Sequence, residues 1–576
     1  MKKSILFCCF VFLATSIFAQ EALKSAEEEY YDFLVLSGIV ERPTIGYRTL
    51  SDNVYELSEE NINSEKNVWK NNNLGNTITI WNNESPLDNG FLNGLNQSFF
   101  LKIYGPEWYN SYNTGYPFGQ NDGALWQGKG YNTSLTGGIR AEIYGFELTL
   151  KPQISFSENK AFELMDNSSY YTNKYAYTWG YGGNKGVDAP QRFGDSSIFK
   201  YDWNDSEIRW SWKTFTIGFG TQPFWTGPAW LNPLLQSNNA PSYPKFDFGI
   251  RNTKIYIPFT DFYIGDIELR MFIGKTSESK YFDDDVTNNH NLINGYNFTY
   301  SPFFLKGLSI GFNKICLTKW DNDEIVKYLY PFYNTNDQED QKLSLTFDWV
   351  FPQIGLELFG ELGLDDYILG FHSKWGLVSI FRNPFHTMTY TFGFKKTTTI
   401  SKNKNVYGEL IFEWNNTEMS LDFQFEWPYN FGFHHLITQG FTNEGQWLGS
   451  GIGYGGNSQI IAYNIFYPKG NTLIFVSRNN PDNNYIYSKT ITTTNSNKDV
   501  YHRYYIAYKA NFNIGFTTNY FVTPSLSFQG GCIYNMVINP NYNPSKSEKY
   551  ANYKDFNFVP DLIHNINLQF GIKYNF

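Results

Sequence analysis

Four groups of residues in this 576-residue chain have types and spacings that could do chemistry. The first is the carboxylate pair Glu357 and Glu361 in IGLELFGELGL. Paired acids hydrolyse glycosides, but on one strand these two would lie about 13 Å apart at about 3.3 Å per residue. Retaining glycosidases hold their carboxyls about 5.5 Å apart and inverting ones up to about 9.5 Å. That pair is too distant, although an acid on a neighbouring strand could still approach Glu361. The second group is His434-His435, which as neighbours on a strand would point to opposite faces and share no ligand. The third, GSGIGYGGNS (449–458), lacks the Lys and the strand–turn–helix setting of a phosphate loop, and reads as a turn between strands. The fourth lies in GTQPFWTGPAWLNPLLQSNNAPSYPKFDFG (220–249), where Trp225 and Trp230 precede Asn238 and Asn239; Trp126 stands upstream. Sugars offer apolar CH faces and dense hydroxyls, so aromatic platforms beside amides suit them. For any single one of these residues the competing reading is packing of a stiff loop, since Pro241 and Pro244 fix φ and remove donors.

The elements that must position these groups announce themselves by period two. In KLSLTFDWVF, Leu343, Leu345, Phe347, Trp349 and Phe351 share one face, while Lys342, Ser344, Thr346 and Asp348 share the other. IGLELFGELGL sets Leu356, Leu358, Leu362 and Leu364 against Glu357 and Glu361. YGELIFEW sets Leu410, Phe412 and Trp414 against Glu409 and Glu413, and SLDFQFEW (420–427), DIELRMFI and RYYIAYKANFNIGF (503–516) repeat the pattern. The last strand, NINLQFGIKYNF, alternates through Leu568, Phe570, Ile572 and Tyr574 to a terminal Phe576, like the assembly signal of outer-membrane barrels.

Composition narrows the class. Lys2 and Lys3, the apolar run Ile5 to Ile17 and Ala19 have the form of a cleavable export signal. Aromatic residues make up 19% of the chain while mean hydropathy is −0.42, and no apolar stretch after the signal is long enough for a membrane helix. These features together predict a transmembrane antiparallel β-barrel of 18 to 20 strands, in which alternate residues face lipid and aromatics ring both interfaces. A formal charge of −10 gives no electrostatic footprint for nucleic acid. Beyond the signal only Cys316 and Cys532 remain, enough for one disulfide and no CxxC site, so neither a metal nor a cofactor is expected. Before the barrel, SAEEEYYDFLVLSG predicts a short helix with a Ser25/Glu28 capping box and Gly38 closing it. It is expected to pack against the periplasmic end of the barrel.

With these residues in view, WTGPAWLNPLLQSNNAP resembles the Wzi family of capsule-assembly outer-membrane proteins, which carry a Trp-Gly-Pro, a Leu-Leu-x-Ser and an Asn-Ala-Pro in this order. NDGALWQGKG (121–130) with LTGGIRAEI, VDAPQRFG (187–194), GELGLDD (360–366) and HHLITQGFTNEGQWLGSGIG (434–453) are similar to further family motifs. Phe441 departs from the more usual Tyr, and Ser242 and Ser450 also differ from the pattern, which bears on the identity of any glycan. The resemblance implies a closed barrel of about 18 strands with a short N-terminal helical periplasmic element. It also implies a non-catalytic, lectin-like role in surface attachment or assembly of capsular or related polysaccharide.

The expected organisation is a signal peptide at 1–19, an N-terminal periplasmic helical or irregular segment at 20–95 and the barrel at 96–576. The expected polysaccharide contacts are Trp126, Trp225, Trp230, Asn238 and Asn239, joined by Arg192, Glu361 and Gln439 from the matching motifs. Expected partners are surface polysaccharide, outer-membrane lipid and, during biogenesis, the barrel-assembly machinery. The alternative function is a passive porin, for which inward charges such as Glu268, Asp348 and Glu409 would form a cation-preferring lining.

Overall fold

The computed structural model describes residues 25–42, 44–48, 57–83, 87, 93–165, 173–177, 187–283, 285–321, 339–365, 387–418, 431–484, 509–541 and 561–576. The expected export signal, the strand expected at 420–427 and the first residues of that expected at 503–516 lie outside them.

Antiparallel strands wrap into one closed barrel of 18 wall strands among the described residues. The seam joins the first wall strand, Phe99–Asn113, to the last, Leu562–Tyr574, from Asn567 opposite Asn113 to Lys573 opposite Glu107. Two walls are broken. Phe146–Leu150 and Gln153–Ser157 are interrupted at Lys151-Pro152, where proline has no N–H for the ladder. Ile198–Asp202 and Glu207–Trp212 are interrupted opposite, around Asn204 with its φ of 47°. The strand Ile198–Asp202 follows a long connection from Ser157.

Alternation sorts the side chains as the sequence predicts. Leu345, Phe347, Leu358, Leu362, Trp414, Leu568 and Phe570 are exposed on the outer surface, while Lys342, Ser344, Glu357, Glu361, Glu409 and Glu413 are buried within. The outer face also exposes Phe199, Ile208, Phe215, Phe219, Ile461 and Val476. An apolar surface of this extent around a closed barrel is stable against hydrocarbon and not against water. No described helix is long and apolar enough to cross a membrane. The strands cross it, and the protein is an outer-membrane β-barrel.

The interior is polar, and several of its buried charges form ion pairs, which offset the cost of a low-dielectric site. Arg209 meets Glu207 at 2.9 Å and Asp247 at 2.8 Å, and Arg270 meets Asp247 at 2.7 Å. Lys342 lies between Asp340 at 2.7 Å and Asp365 at 2.6 Å.

One end of the barrel has tight connections such as Tyr144-Gly145, Lys213-Thr214 and Pro468-Lys469. The helix α1, Ala26–Leu36, sits inside this end. Ser25 accepts from the Glu28 N–H at 3.1 Å as its N-cap, and Gly38, at φ 73°, ends it in the left-handed conformation. Tyr30, Phe33 and Leu34 bury against Trp69 and the inward wall residues Tyr407, Phe466 and Phe521. The Tyr30 and Trp69 rings stack at 4.2 Å. Ion pairs fasten both ends of the helix, Glu27 to Lys573 at 2.9 Å and Asp32 to Lys395 at 2.8 Å.

Candidate functional site

The proline-rich loop 221–244 turns into the barrel instead of lying over it. A buried loop must find acceptors for its N–H groups, and inward wall carboxylates supply them. Glu413 accepts from the backbone N–H of Trp230 at 2.7 Å, Leu231 at 2.8 Å and Asn232 at 2.9 Å. Glu361 accepts from the Leu234 N–H at 2.8 Å. Inside the lumen the loop also pairs with the N-terminal segment, Tyr47 opposite Thr226 and Arg48 opposite Trp225. Gly227 turns at φ 78°, where a Cβ would stand 3.2 Å from Thr346. At the deepest point the Trp230 indole Nε1–H donates to Glu29 of α1 at 2.7 Å. A loop entering from the long-connection end and a helix entering from the other therefore touch within the barrel.

A second loop closes over the first. The hairpin Thr442–Asn443 with Gln446–Trp447 packs on it, Asn239 Nδ2 donates to the Trp447 carbonyl at 3.0 Å, and the Tyr454 hydroxyl donates to the Leu234 carbonyl at 2.6 Å. Leu234 and Leu235 bury among Phe431, Phe441, Trp447 and Tyr454. Of the sequence 449–458, expected as a turn between strands, residues 449–456 are part of this lid and Asn457 begins the next wall strand.

Each residue expected to contact polysaccharide has a definite place. Trp225 is fully buried and donates from Nε1 to the Ala229 carbonyl at 3.1 Å. Asn239 also accepts from the Asn121 N–H at 3.1 Å, which ties the loops together. Arg192 is buried and donates to Asn159 Oδ1 at 3.2 Å and to Asp195 at 2.9 Å. Gln439 donates to the carbonyls of Ser277 and Thr442, both at 2.9 Å. Glu361, as above, holds Leu234. Trp126 is half-buried with its ring on the edge of Phe193 at 5.3 Å. Trp230 and Asn238 both line a cavity of about 510 Å³ left between the loops and the wall.

That cavity extends from Gln120 and Asp122 in the first long connection to Ser25 and Glu29 at the start of α1. One side is apolar, formed by Trp230, Leu231, Ile460, Leu473 and Phe475. The other is a row of amides on the last wall strands, including Asn471, Asn513, Asn519, Gln529 and Gln569. Sequence reasoning missed this row. Its signal was a set of asparagines on the inward face, Asn471 and Asn479 in GNTLIFVSRNN and Asn511, Asn513 and Asn519 in ANFNIGFTTNY, but these look like any polar barrel lining until neighbouring strands are in register.

Burial alters two loop carboxyls. Asp122, beside Gln127 at 2.8 Å, is pushed up to about 7 by desolvation. Asp188, which accepts from the Ser279 N–H and hydroxyl, both at 2.6 Å, is likewise pushed up to about 7, mainly by burial.

Two of the inward charges that a porin would present to water are engaged otherwise. Glu268 accepts from the Ile45 and Gly46 N–H groups at 2.8 and 2.9 Å, and Asp348 pairs with Arg42 at 2.5 Å. Glu409 is fully buried.

A closed outer-membrane barrel with a loop-filled lumen and an internal helix is thus the class of protein defined by fold and site. Residues 110–320 match the family model described as capsule assembly protein Wzi, so the resemblance read from the motifs holds over that span. The whole barrel is similar to Wzi of Escherichia coli, solved as a carbohydrate-binding β-barrel involved in group 1 capsule assembly. The TM-score is 0.57 at 12% identity, with 97% of this chain and 99% of that chain covered. Acinetobacter baumannii OccAB1 aligns at 10% identity over 82% of this chain and 96% of that one, with a TM-score of 0.34. Pseudomonas aeruginosa OccD3 aligns at 11% identity over 82% and 91%, with a TM-score of 0.36. Neither of these two similarities supports an argument about this fold. No curated protein matches the chain.

Proposed function

We propose that this protein is a non-catalytic, lectin-like component of the outer membrane that attaches or helps assemble capsular or related polysaccharide at the cell surface. The observation on which this rests is the lumen, filled from one end by loop 221–244 and from the other by residues 25–42 and 44–48, which meet at Trp230 and Glu29. Such a barrel is built to hold a ligand against its loops and not to pass solutes. The match to the capsule-assembly family over 110–320 supports the ligand class. A non-catalytic role accords with the wall carboxylates Glu361 and Glu413, which act as acceptors for loop backbone and not as an acid–base pair.

The expected partners follow from the same surfaces. Outer-membrane lipid suits the apolar belt, and the barrel-assembly machinery suits a last strand that alternates outward through Leu568, Phe570 and Tyr574 to Phe576. Residues 1–19 serve as the export signal, and the part of the chain preceding the barrel is assigned to its periplasmic side.

The test is a deletion strain assayed for polysaccharide released to the medium against polysaccharide retained on cells. Retention should fall in the deletion and return with the wild-type gene. Equal retention with and without the gene would remove the proposal.

A further inference from the structure

The geometry points to a binding site for a neutral sugar segment inside the barrel, between the amide row of the last wall strands and the apolar patch around Trp230. This rests on the polysaccharide reading above and specifies where, and for what class of glycan, that reading applies.

Two buried amide atoms in this cavity are orphaned. Asn471 and Asn519 are both more than nine-tenths buried and both line the cavity. They stand directly opposite each other on adjacent strands, with side chains on the same inward face. Asn471 Nδ2 donates to Asn464 Oδ1 at 3.0 Å, but Asn471 Oδ1 has no hydrogen-bond partner among the described residues, nor does Asn519 Nδ2. A buried amide group left unsatisfied costs about 1–3 kcal/mol. An acceptor and a donor about 4.5–5.5 Å apart at Cβ are complementary to hydroxyls, which both donate and accept.

The second observation is the surface beside them. Leu473 lies two residues along the same strand and on the same face, and with Phe475, Ile460 and Trp230 forms an apolar patch in the same cavity. A pyranose has this division of surface, with CH groups toward one face and hydroxyls around the ring. At about 510 Å³, the cavity falls within the roughly 300–1,000 Å³ typical of ligand sites.

The third observation concerns charge. The lining has three carboxylates, Glu29, Glu107 and Asp122, and two cations, Lys151 and Arg478. Lys151 faces Asp205 at 3.8 Å, and Arg478 donates to Asn457 at 2.6 Å and Gln459 at 3.0 Å. Among the described residues the lining has no excess of cations to neutralise a uronate or phosphate, so the site selects neutral units over acidic ones.

The test uses the full barrel folded in detergent micelles. The probes are neutral gluco-, galacto- and manno-hexasaccharides and a hexagalacturonate, titrated by calorimetry and by tryptophan fluorescence. At least one neutral probe should bind, with the acidic probe at least tenfold weaker. Binding should fall at least tenfold in Asn471→Leu/Asn519→Leu and in the cavity-filling Thr517→Trp, each run as a folded barrel by its heat-modifiable gel mobility. Absence of binding by all neutral probes, equal binding of the acidic one, or unchanged binding in either folded variant overturns the inference. In cells the two ideas separate. If deletion lowers polysaccharide retention but Thr517→Trp restores it fully, the lumen site fails and the attachment role stands. If purified Thr517→Trp loses binding while the deletion strain keeps its polysaccharide, the site stands and the attachment role fails.

Discussion

Glu413 illustrates how much one side chain can do in this lumen. Its carboxylate receives three consecutive backbone N–H groups and Asn232 Nδ2, so it replaces the partners that a buried, proline-interrupted loop cannot find in itself. Glu413→Ala leaves those donors unsatisfied at about 1–3 kcal/mol per group. Loop 221–244 should become protease-sensitive while the wall remains folded, as read by limited proteolysis of the micellar barrel. Asp247 is a harsher case, since it neutralises both Arg209 and Arg270 inside the wall. Removing one partner of a buried ion network costs about 3–5 kcal/mol, so Asp247→Ala should lower the urea midpoint of barrel unfolding. Asp188 gives a pH signature. Its carboxyl is raised well above the usual carboxylate range, to about 7, chiefly by burial, with Asp283 adding in the same direction. A raised carboxyl contributes its stability in full below the ordinary value and loses it as pH climbs through the folded one. The contact between 187–194 and Ser279 should therefore loosen progressively between about pH 4 and pH 7. Faster amide exchange at Ser279 at pH 8 than at pH 5, after correction for intrinsic rates, would record it.

At the scale of elements, α1 behaves as a stopper. Its capping residue was legible in the sequence, and Ser25→Ala should destabilise it by about 1 kcal/mol. Its retention depends instead on Tyr30, Phe33 and Leu34 against Trp69, Tyr407, Phe466 and Phe521, contacts between residues far apart in the chain. Phe33→Ala should cost about 3–5 kcal/mol, enough to release the stopper part of the time. In planar bilayers the wild-type barrel should be electrically silent and Phe33→Ala should show intermittent steps. Steady current from the wild type would instead favour the porin reading. Loop 221–244 shows where legibility ended. Trp225, Trp230, Asn238 and Asn239 were picked out for their sugar-binding types, and the loop's partners decided among them. Trp225 and Asn239 pack and tie the loop, whereas Trp230 and Asn238 reach the cavity. Residue type sets what a side chain can bind, but only its neighbours set what it does bind.

For the whole molecule, the decisive quantity is the apolar belt. Ile514 is exposed on the outer face, flanked by the exposed Phe512 and Phe516. A lysine placed on a lipid-facing position near the membrane midplane costs about 2–4 kcal/mol. Ile514→Lys should reduce the fraction of barrel folding into lipid vesicles, while the lumen-facing Asn513→Gln leaves it unchanged.

The chain's own order of residues determined the wall: strict alternation, aromatic outward positions and a terminal Phe576 are local properties that any strand of this sequence must express. The tertiary structure alone decided the contents. Whether an inward Glu lines a pore, cleaves a glycoside or cradles a loop depends on which distant backbone is brought against it. Asn471 and Asn519 likewise become a pair only once their two strands lie in register. Period two is written in consecutive residues, whereas register arises from contacts tens of positions apart and closure from contacts hundreds apart, which no short stretch of sequence records.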